Sequence, residues 1–288
     1  SEMCIRDRGF ALHGSEASAD QESSNVHIEG NVRLVTDGGL EATAEVADYS
    51  DNNGMVRMPG AASFKRSWMN ASAQASRFDR RRDRLHLLTA ARGEILSGES
   101  EVAPVVIVAD SARLNQTDGI MVFSNNVVVD TGIHLMDSTQ ATITLVSETN
   151  ALDSLRLNGD ARVRATVDES GQFRSMSAAN IRVFYDSGRS ERIVLQGMAN
   201  GELAGHGSGT GTRISAESIE VLTNDSGAAK RIDATTEVVA NLGLPNRGQS
   251  KAEQEILADS LRIVSTDDDY FMASFVGSVV YRESDELI

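Results

Sequence analysis

The chain has 288 residues and a formal net charge of −15, from 27 basic and 42 acidic side chains. That balance is the opposite of the basic face by which nucleic acid is bound, and a single cysteine excludes an internal disulfide framework and a thiolate zinc cage. No run approaches the ~20 apolar residues of a membrane-spanning helix. Hydrophobic residues at 40% suffice for a core, and only three prolines leave long tracts free to pair as strands.

The first eight residues, Ser1-Glu2-Met3-Cys4-Ile5-Arg6-Asp7-Arg8, share no pattern with the remainder of the chain. They resemble a translated sequencing-adapter remnant. The expectation is therefore that segment 1–8, Cys4 included, is non-native and that any signal or anchor lay upstream. Residues 9–288 read as one continuous array with a soft internal boundary near Ser97–Pro104.

That array is a repeat. One half-unit alternates apolar and polar positions around a small residue: Val26-x-Ile28-x-Gly30-x-Val32-x-Leu34, then Val56-x-Met58-x-Gly60-x-Ala62-x-Phe64, then Leu85-x-Leu87-x-Thr89-x-Ala91. It returns as Ile120-x-Val122-x-Ser124-x-Asn126-x-Val128, Leu155-x-Leu157-x-Gly159-x-Ala161-x-Val163 and Ile193-x-Leu195-x-Gly197-x-Ala199. The last copies are Ile232-x-Ala234-x-Thr236-x-Val238 and Phe271-x-Ala273-x-Phe275-x-Gly277-x-Val279. The spacing between copies drifts upward from 29 to 39 residues. Between them lies a second half-unit, a small residue followed by a polar one and two alternating apolar ones. Its seven copies begin at Ala44, Ala73, Ala109, Ser138, Ala178, Ala216 and Ala258.

Period-two alternation makes one face of each strand apolar and the other wet. Turn residues such as Thr36-Asp37-Gly38-Gly39, Asp51-Asn52-Asn53-Gly54 and Asp186-Ser187-Gly188 separate the halves. Short connections of this kind favour antiparallel neighbours. The reading is about 15–16 antiparallel strands of roughly 8–11 residues. The one helical signal, Lys251 to Leu257, runs straight into a strand copy and reads as a loop or short turn. A small residue recurring at one register marks a bend or bulge, so every strand is expected to bend at the same height and fold the sheet over itself.

Little in the chain points to chemistry. His13, His27, His86, His134 and His206 are scattered without metal-ligand spacing, and His27, His86 and His134 fall on the solvent parity. The stretch Gly205-His206-Gly207-Ser208-Gly209-Thr210-Gly211 lacks the lysine and following helix of a phosphate loop. Arg80-Arg81-Arg82, flanked by Asp79 and Asp83, reads as a solvated turn. Asp267-Asp268-Asp269 lacks the glycine and bidentate glutamate of a calcium loop. There is no nucleophile elbow and no triad, so the reading assigns neither enzymatic activity nor a cofactor or metal.

The apolar face is the functional candidate. By parity it is formed by Ile28, Val32, Tyr49, Met58, Phe64, Phe78, Leu87, Leu114, Val122, Ile143, Leu157, Val163, Ile181, Val183, Leu195, Ile219, Val221, Leu261, Ile263 and Phe275. Val, Ile, Met and Ala among small residues suit either a narrow packed core or a groove for something long, thin and apolar, and periodicity admits both.

Val26-His27-Ile28-Glu29-Gly30-Asn31-Val32-Arg33-Leu34 followed by Leu40 to Tyr49 resembles the OstA-like unit shared by LptA, LptC and the periplasmic part of LptD. Leu155 to Val163 and Phe275 to Glu283 resemble it too. The resemblance covers nearly all of residues 26–283 and is most similar to extended LptC-like proteins. It implies an elongated antiparallel β-jellyroll, folded like a taco around an apolar groove that shields lipid A acyl chains of lipopolysaccharide. It implies partners too: other Lpt β-jellyrolls joined by edge-strand pairing, and an inner-membrane ABC transporter complex whose ATP drives the flow towards the outer membrane. The implied location is the periplasm, with an inner-membrane anchor in the full-length protein. The charge of −15 would leave lipid A phosphates in solvent, with acyl chains alone inside. The competing reading is a structural β-repeat, a solenoid, adhesin or surface-layer segment with no lipid ligand. Strand pairing separates the two, because solenoid repeats stack in parallel at near-constant period.

Overall fold

The computed structural model describes residues 3–7, 9–20, 24–96, 103–115, 118–166, 173–204, 211–224, 228–242, 253–265 and 271–284. The described residues form strands and turns without helix, so none supplies a helix able to cross a membrane. Residues 205–210, 243–252 and 266–270, with the glycine-rich stretch and the Asp267–Asp269 run, lie outside the described residues, as do 97–102 of the expected soft boundary.

Two compact units are present. One comprises residues 1–131 and 140–152, the other residues 132–139 and 153–288. The first carries β1 (Met3–Asp7), β2 (Phe10–Gly14), β3 (Glu16–Asp20), β4 (Asn25–Thr36), β5 (Glu41–Ser50), β6 (Met55–Met58) and β7 (Ala62–Arg66). It continues through β8 (Met69–Ala73), β9 (Ala75–Asp79), β10 (Arg84–Thr89), β11 (Ala91–Ile95), β12 (Val105–Ala109), β13 (Ser111–Asn115) and β14 (Ile120–Asp130). Strand β15 (His134–Leu145) is divided between the units. The second holds β16 (Leu152–Ala165), β17 (Phe173–Asp186), β18 (Arg189–Leu203), β19 (Thr212–Thr223), β20 (Ala229–Leu242), β21 (Glu253–Ser265), β22 (Phe271–Val276) and β23 (Val280–Ser284).

The described ladders are antiparallel, and most join chain neighbours or the two arms of a bent neighbour. In the first unit the bend cuts several passes in two, as at β6/β7, β8/β9, β10/β11 and β12/β13. In the second unit β16 to β21 stay continuous and shift register instead, and only the last pass, β22/β23, is cut. Joined across their bends, the strands after β1 make sixteen passes among the described residues, which agrees with the count expected from the repeat. β1 itself pairs with β2 from Met3 opposite Gly14 to Asp7 opposite Phe10.

The expected bends are β-bulges in which two residues with left-handed backbone oppose one. Gly30 and Asn31 have φ of 73° and 51°. The pairing steps from Glu29–Val46 to Val32–Ala44, leaving Glu45 alone opposite them. Gly159 and Asp160, with φ of 80° and 48°, stand opposite Ala179 in the same way. So do Gly197 and Met198 opposite Glu217, and Thr236 and Glu237 opposite Asp259. Asn125 and Asn126 oppose Asp110, whose amide donates to the Asn125 carbonyl at 3.0 Å and whose carboxylate accepts from Asn126 Nδ2 at 3.0 Å. Glycine and asparagine recur here because left-handed backbone costs other residues roughly 1–2 kcal/mol.

The bulge sets the parity of every strand. On the bulged strand the inward step across the bend is four residues, as in Leu157 to Ala161 and Leu195 to Ala199. On the partner it is three, as in Ala178 to Ile181, Ala216 to Ile219 and Ala258 to Leu261. The two half-units of the repeat differ by that one residue. The small residue of the first half-unit is thus lifted out of the apolar row: Gly30 and Gly159 are not buried, while Ile28, Val32, Leu157 and Ala161 are.

One expectation is overturned. Residues 253–257 are not loop or turn but the start of β21, where Ile256 pairs with Ala240 on one side and Tyr281 on the other. Its acidic residues fall at strand spacing, and pairing on both edges outweighs their modest helix preference.

Candidate functional site

The inner face is built row by row from the ladder registers. In the second unit Leu157 lies opposite Ile181, Ile181 opposite Leu195, and Leu195 opposite Ile219. The row continues to Ala234 and Leu261. A second row runs Leu155, Val183, Ile193, Val221, Ile232 and Ile263. On the other side of the bend Val163 meets Met176. In the first unit Ile28 meets Ala47, Val56 meets Phe78, and Phe78 meets Leu85. Phe64 faces Ala42 and Ala71, so one large ring is framed by two small side chains. Phe10 and Tyr49 lie ring to ring at 5.1 Å.

The candidates Ile28, Val32, Tyr49, Met58, Phe64, Phe78, Leu87, Leu114, Ile143, Leu157, Val163, Ile181, Val183, Leu195, Ile219, Val221, Leu261 and Ile263 are each 0–4% exposed. Complete burial of such side chains supplies about 1.5–3 kcal/mol apiece. The apolar rows are therefore closed by their own packing in each unit.

Two candidates do not sit there. Val122 is only partly buried, and its neighbours Met121 and Phe123 are buried, 1% and 0% exposed. The stretch Ile120–Val129 is apolar on both parities, so alternation alone could not choose between them. Its partner strand chooses: Val122 stands opposite the charged Arg113, while Leu114 and Ala112 face Met121 and Phe123. Inward residues of this copy are thus Met121, Phe123, Val127 and Val129. Phe275 has the expected parity, opposite Leu261, yet remains half-buried. It lies on β22, which has β21 on one side and no described strand on the other. Leu12, Leu34, Leu40, Leu85, Met69 and Ile107 are fully buried residues that were not among the candidates. All but Leu40 lie on strands, and the inward half of the alternation would have found them.

The polar features resolve into local structure. Arg80 stacks its guanidinium over the Phe10 ring at 5.0 Å. Arg81 donates to the carbonyls of Asp51 and Asn52 at 3.2 and 2.9 Å, and Arg82 pairs with Asp79 at 3.2 Å. The Asp79 carboxylate, 7% exposed, also accepts from the backbone amides of Arg81 and Arg82 at 3.1 and 3.2 Å. The three arginines therefore brace a turn, as the flanking acids suggested. His27 lies between Asp48 and Glu29, each at 2.7 Å, and its hydrogen bonds to Asp48 and then Glu29 raise its pKa above 6.5. His86 is lowered by burial and by Arg77, and His134 by burial alone. Among the described residues no three His, Cys, Asp or Glu side chains are grouped to hold a metal ion.

Concavities open on the outer, polar face of each unit. One, of about 570 Å³, spans Arg33, Thr43, Ser63, Ser72 and Gln74 in the first unit. A smaller one, about 300 Å³, spans Arg162, Ser177, Asn200, Arg213 and Ser215 in the second.

Comparison with known proteins bears on the repeat. No curated protein matches the sequence. Among solved structures, one similar chain is LptH from Pseudomonas aeruginosa, described as the LptA-homologous periplasmic component of the conserved lipopolysaccharide transport device. The similarity covers 56% of this chain and 95% of LptH, at 9% identity and a TM-score of 0.27, which supplies no residue-level correspondence. By sequence, residues 106–226, a stretch that includes several copies of both half-units from β12 to β19, match the model of the family described as LptA/(LptD N-terminal domain) LPS transport protein.

Proposed function

We propose that this protein is a periplasmic component of lipopolysaccharide transport, in which the apolar inner face of the bent sheet shields acyl chains from water. The observation that carries this reading is the family match over residues 106–226. The inner rows add physical support, since Leu157, Ile181, Leu195 and Ile219 continue one apolar surface across four strands. Each methylene taken into such a surface gains about 0.8 kcal/mol. Because the rows are closed by packing, an acyl chain enters by parting the two arms of the sheet. It then replaces side-chain contacts with contacts to itself, so the net cost of opening stays low. Partners of the same architecture dock by adding strands to open sheet edges. An inner-membrane transporter complex supplies the energy, and an anchor outside the described residues tethers the protein to that membrane.

The structural-repeat alternative, in its solenoid form, requires parallel stacking, and the described ladders are antiparallel.

The test is a photo-crosslinking amino acid placed in cells at Leu157 or Phe64, with Arg156 and Lys65 as outward controls. Lipopolysaccharide adducts are expected at the inner positions only. Capture at Arg156 and Lys65 with none at Leu157 and Phe64 would reject an inner-face path.

A further inference from the structure

The outer face of the second unit carries a feature that acyl-chain shielding does not use. The ladder registers place Arg162, Ser177, Asn200 and Ser215 in one row across β16–β19. Two residues along, Arg164, Ser175, Glu202 and Arg213 lie in a parallel row. The outward side chains of these rows enclose the cavity of about 300 Å³. Arg164 is occupied by Asp137 at 3.0 Å, and Glu202 by Arg174 at 3.8 Å. Arg162 and Arg213 have no ion pair among the described residues, and both are exposed. They stand at diagonal corners of the concavity, three strand spacings or roughly 14 Å apart across the sheet.

Between those corners the floor is hydroxyl and amide, with the Glu202 carboxylate beside Arg213 at its edge. Ser215 Oγ donates to Asn200 Oδ1 at 2.7 Å, and Asn200 Nδ2 donates to the Met198 carbonyl at 2.8 Å. The amide is thereby fixed in orientation, while the hydroxyls of Ser175 and Ser177 complete a polar lining. Two uncommitted positive charges over a hydroxyl floor are unexpected in a chain of net charge −15. The corresponding concavity of the first unit is different. There Arg33 pairs with Glu41 at 3.1 Å, Thr43 and Ser63 bond to each other at 2.7 Å, and Glu45 adds negative charge. The same bend geometry thus yields a self-neutralised surface in one unit and, in the other, one whose arginines outnumber its single carboxylate, Glu202.

We infer that the outer concavity of β16–β19 binds a phosphorylated saccharide, with Arg162 and Arg213 each gripping an anionic group and the Ser–Asn floor meeting sugar hydroxyls. Guanidinium forks match phosphate oxygens in pairs, and their reach inward from both corners narrows the gap to the length of a sugar bisphosphate. This inference does not depend on the transport reading, since it uses only the outer face.

The test is calorimetric titration of the full chain at low salt with fructose 1,6-bisphosphate, fructose and inorganic phosphate. The bisphosphate is expected to bind, fructose not to bind, and phosphate to bind roughly tenfold or more weakly. Arg162→Gln and Arg213→Gln are each expected to weaken the bisphosphate roughly tenfold. Arg33→Gln in the first unit is expected to leave binding unchanged. These side chains are exposed, and unchanged far-ultraviolet circular dichroism verifies folding. Absence of bisphosphate binding, or equal binding by the Arg162→Gln/Arg213→Gln double variant, overturns the site. Phosphate binding as tightly as the bisphosphate overturns its saccharide character.

Discussion

Gly159→Ala isolates the device on which the bent sheet rests. Gly159 has φ of 80°, and a methyl group added there lies 2.7 Å from Thr139 Oγ1 and 2.9 Å from Thr139 Cβ. Left-handed backbone costs alanine about 1 kcal/mol relative to glycine. The overlap adds about 1–3 kcal/mol, because a Cβ is fixed to its backbone and cannot swing away. The same substitution disturbs the hydrogen bond from Thr139 Oγ1 to the Gly159 carbonyl at 3.3 Å. The expected total is about 2–4 kcal/mol. The neighbouring Asp160→Ala is the internal control. Asp160 is also left-handed, at φ 48°, but exposed and already bearing a Cβ, so its replacement loses only the better tolerance of aspartate for that backbone, under about 1 kcal/mol. Urea unfolding followed by circular dichroism reads both as shifts of midpoint at constant slope. Thr139→Ala combined with Gly159→Ala removes the nearest overlapping atom and should recover part of the loss, a coupling absent between Thr139→Ala and Asp160→Ala. Equal costs for Gly159→Ala and Asp160→Ala would refute the close approach of Thr139, and two neutral variants would refute the left-handed bulge itself.

Parity in β14 is tested by charge: Phe123→Lys should prevent folding or lower stability by more than about 3 kcal/mol, while Val122→Lys, beside Arg113, should cost under about 1 kcal/mol. Soluble expression and urea midpoints decide, and comparable damage by both would overturn the assignment. Asp79→Ala should lose about 1–3 kcal/mol, because two turn amides and Arg82 lose a nearly buried acceptor; an unchanged melting temperature contradicts that role. Nuclear magnetic resonance titration should place His27 above 6.5 and His134 below it. For His27 the linked stability is fully present below the unfolded pKa and is lost as pH rises through the higher folded value. For His134 the sign reverses, and stability falls as pH drops through the unfolded value towards the folded one. A reversed order of the two values would exclude both environments.

How much of this was legible in the residues depends on the strand. Where alternation was clean, as in Leu155 to Val163 against Ala178 to Val183, the sequence alone established strand type, inward face and bend. The second half-unit even carried the three-residue inward step, since Ala178, Ile181 and Val183 are its buried positions. What that step meant was not readable from one strand, because a bulge is a relation between two. Only the pairing of Asn158 with Asn180 and of Ala161 with Ala178 turns a small residue in an apolar row into a two-against-one kink. Ile120–Val129 failed for the related reason that a strand apolar on both faces holds no parity of its own.

Alternation, turn residues and composition thus determined by themselves an all-β antiparallel chain with one apolar face, because burial and backbone sterics act locally with periods of two residues. The tertiary structure decided three further things. It set which parity faces inward in β14, through Arg113 opposite Val122. It packed the inner rows shut against one another and opened concavities on the outer face of each unit. It also left Arg162 and Arg213 without an ion pair among the described residues while Arg33 found Glu41. Each depends on which strands lie side by side, and residues far apart in sequence become neighbours only through the ladder that joins them.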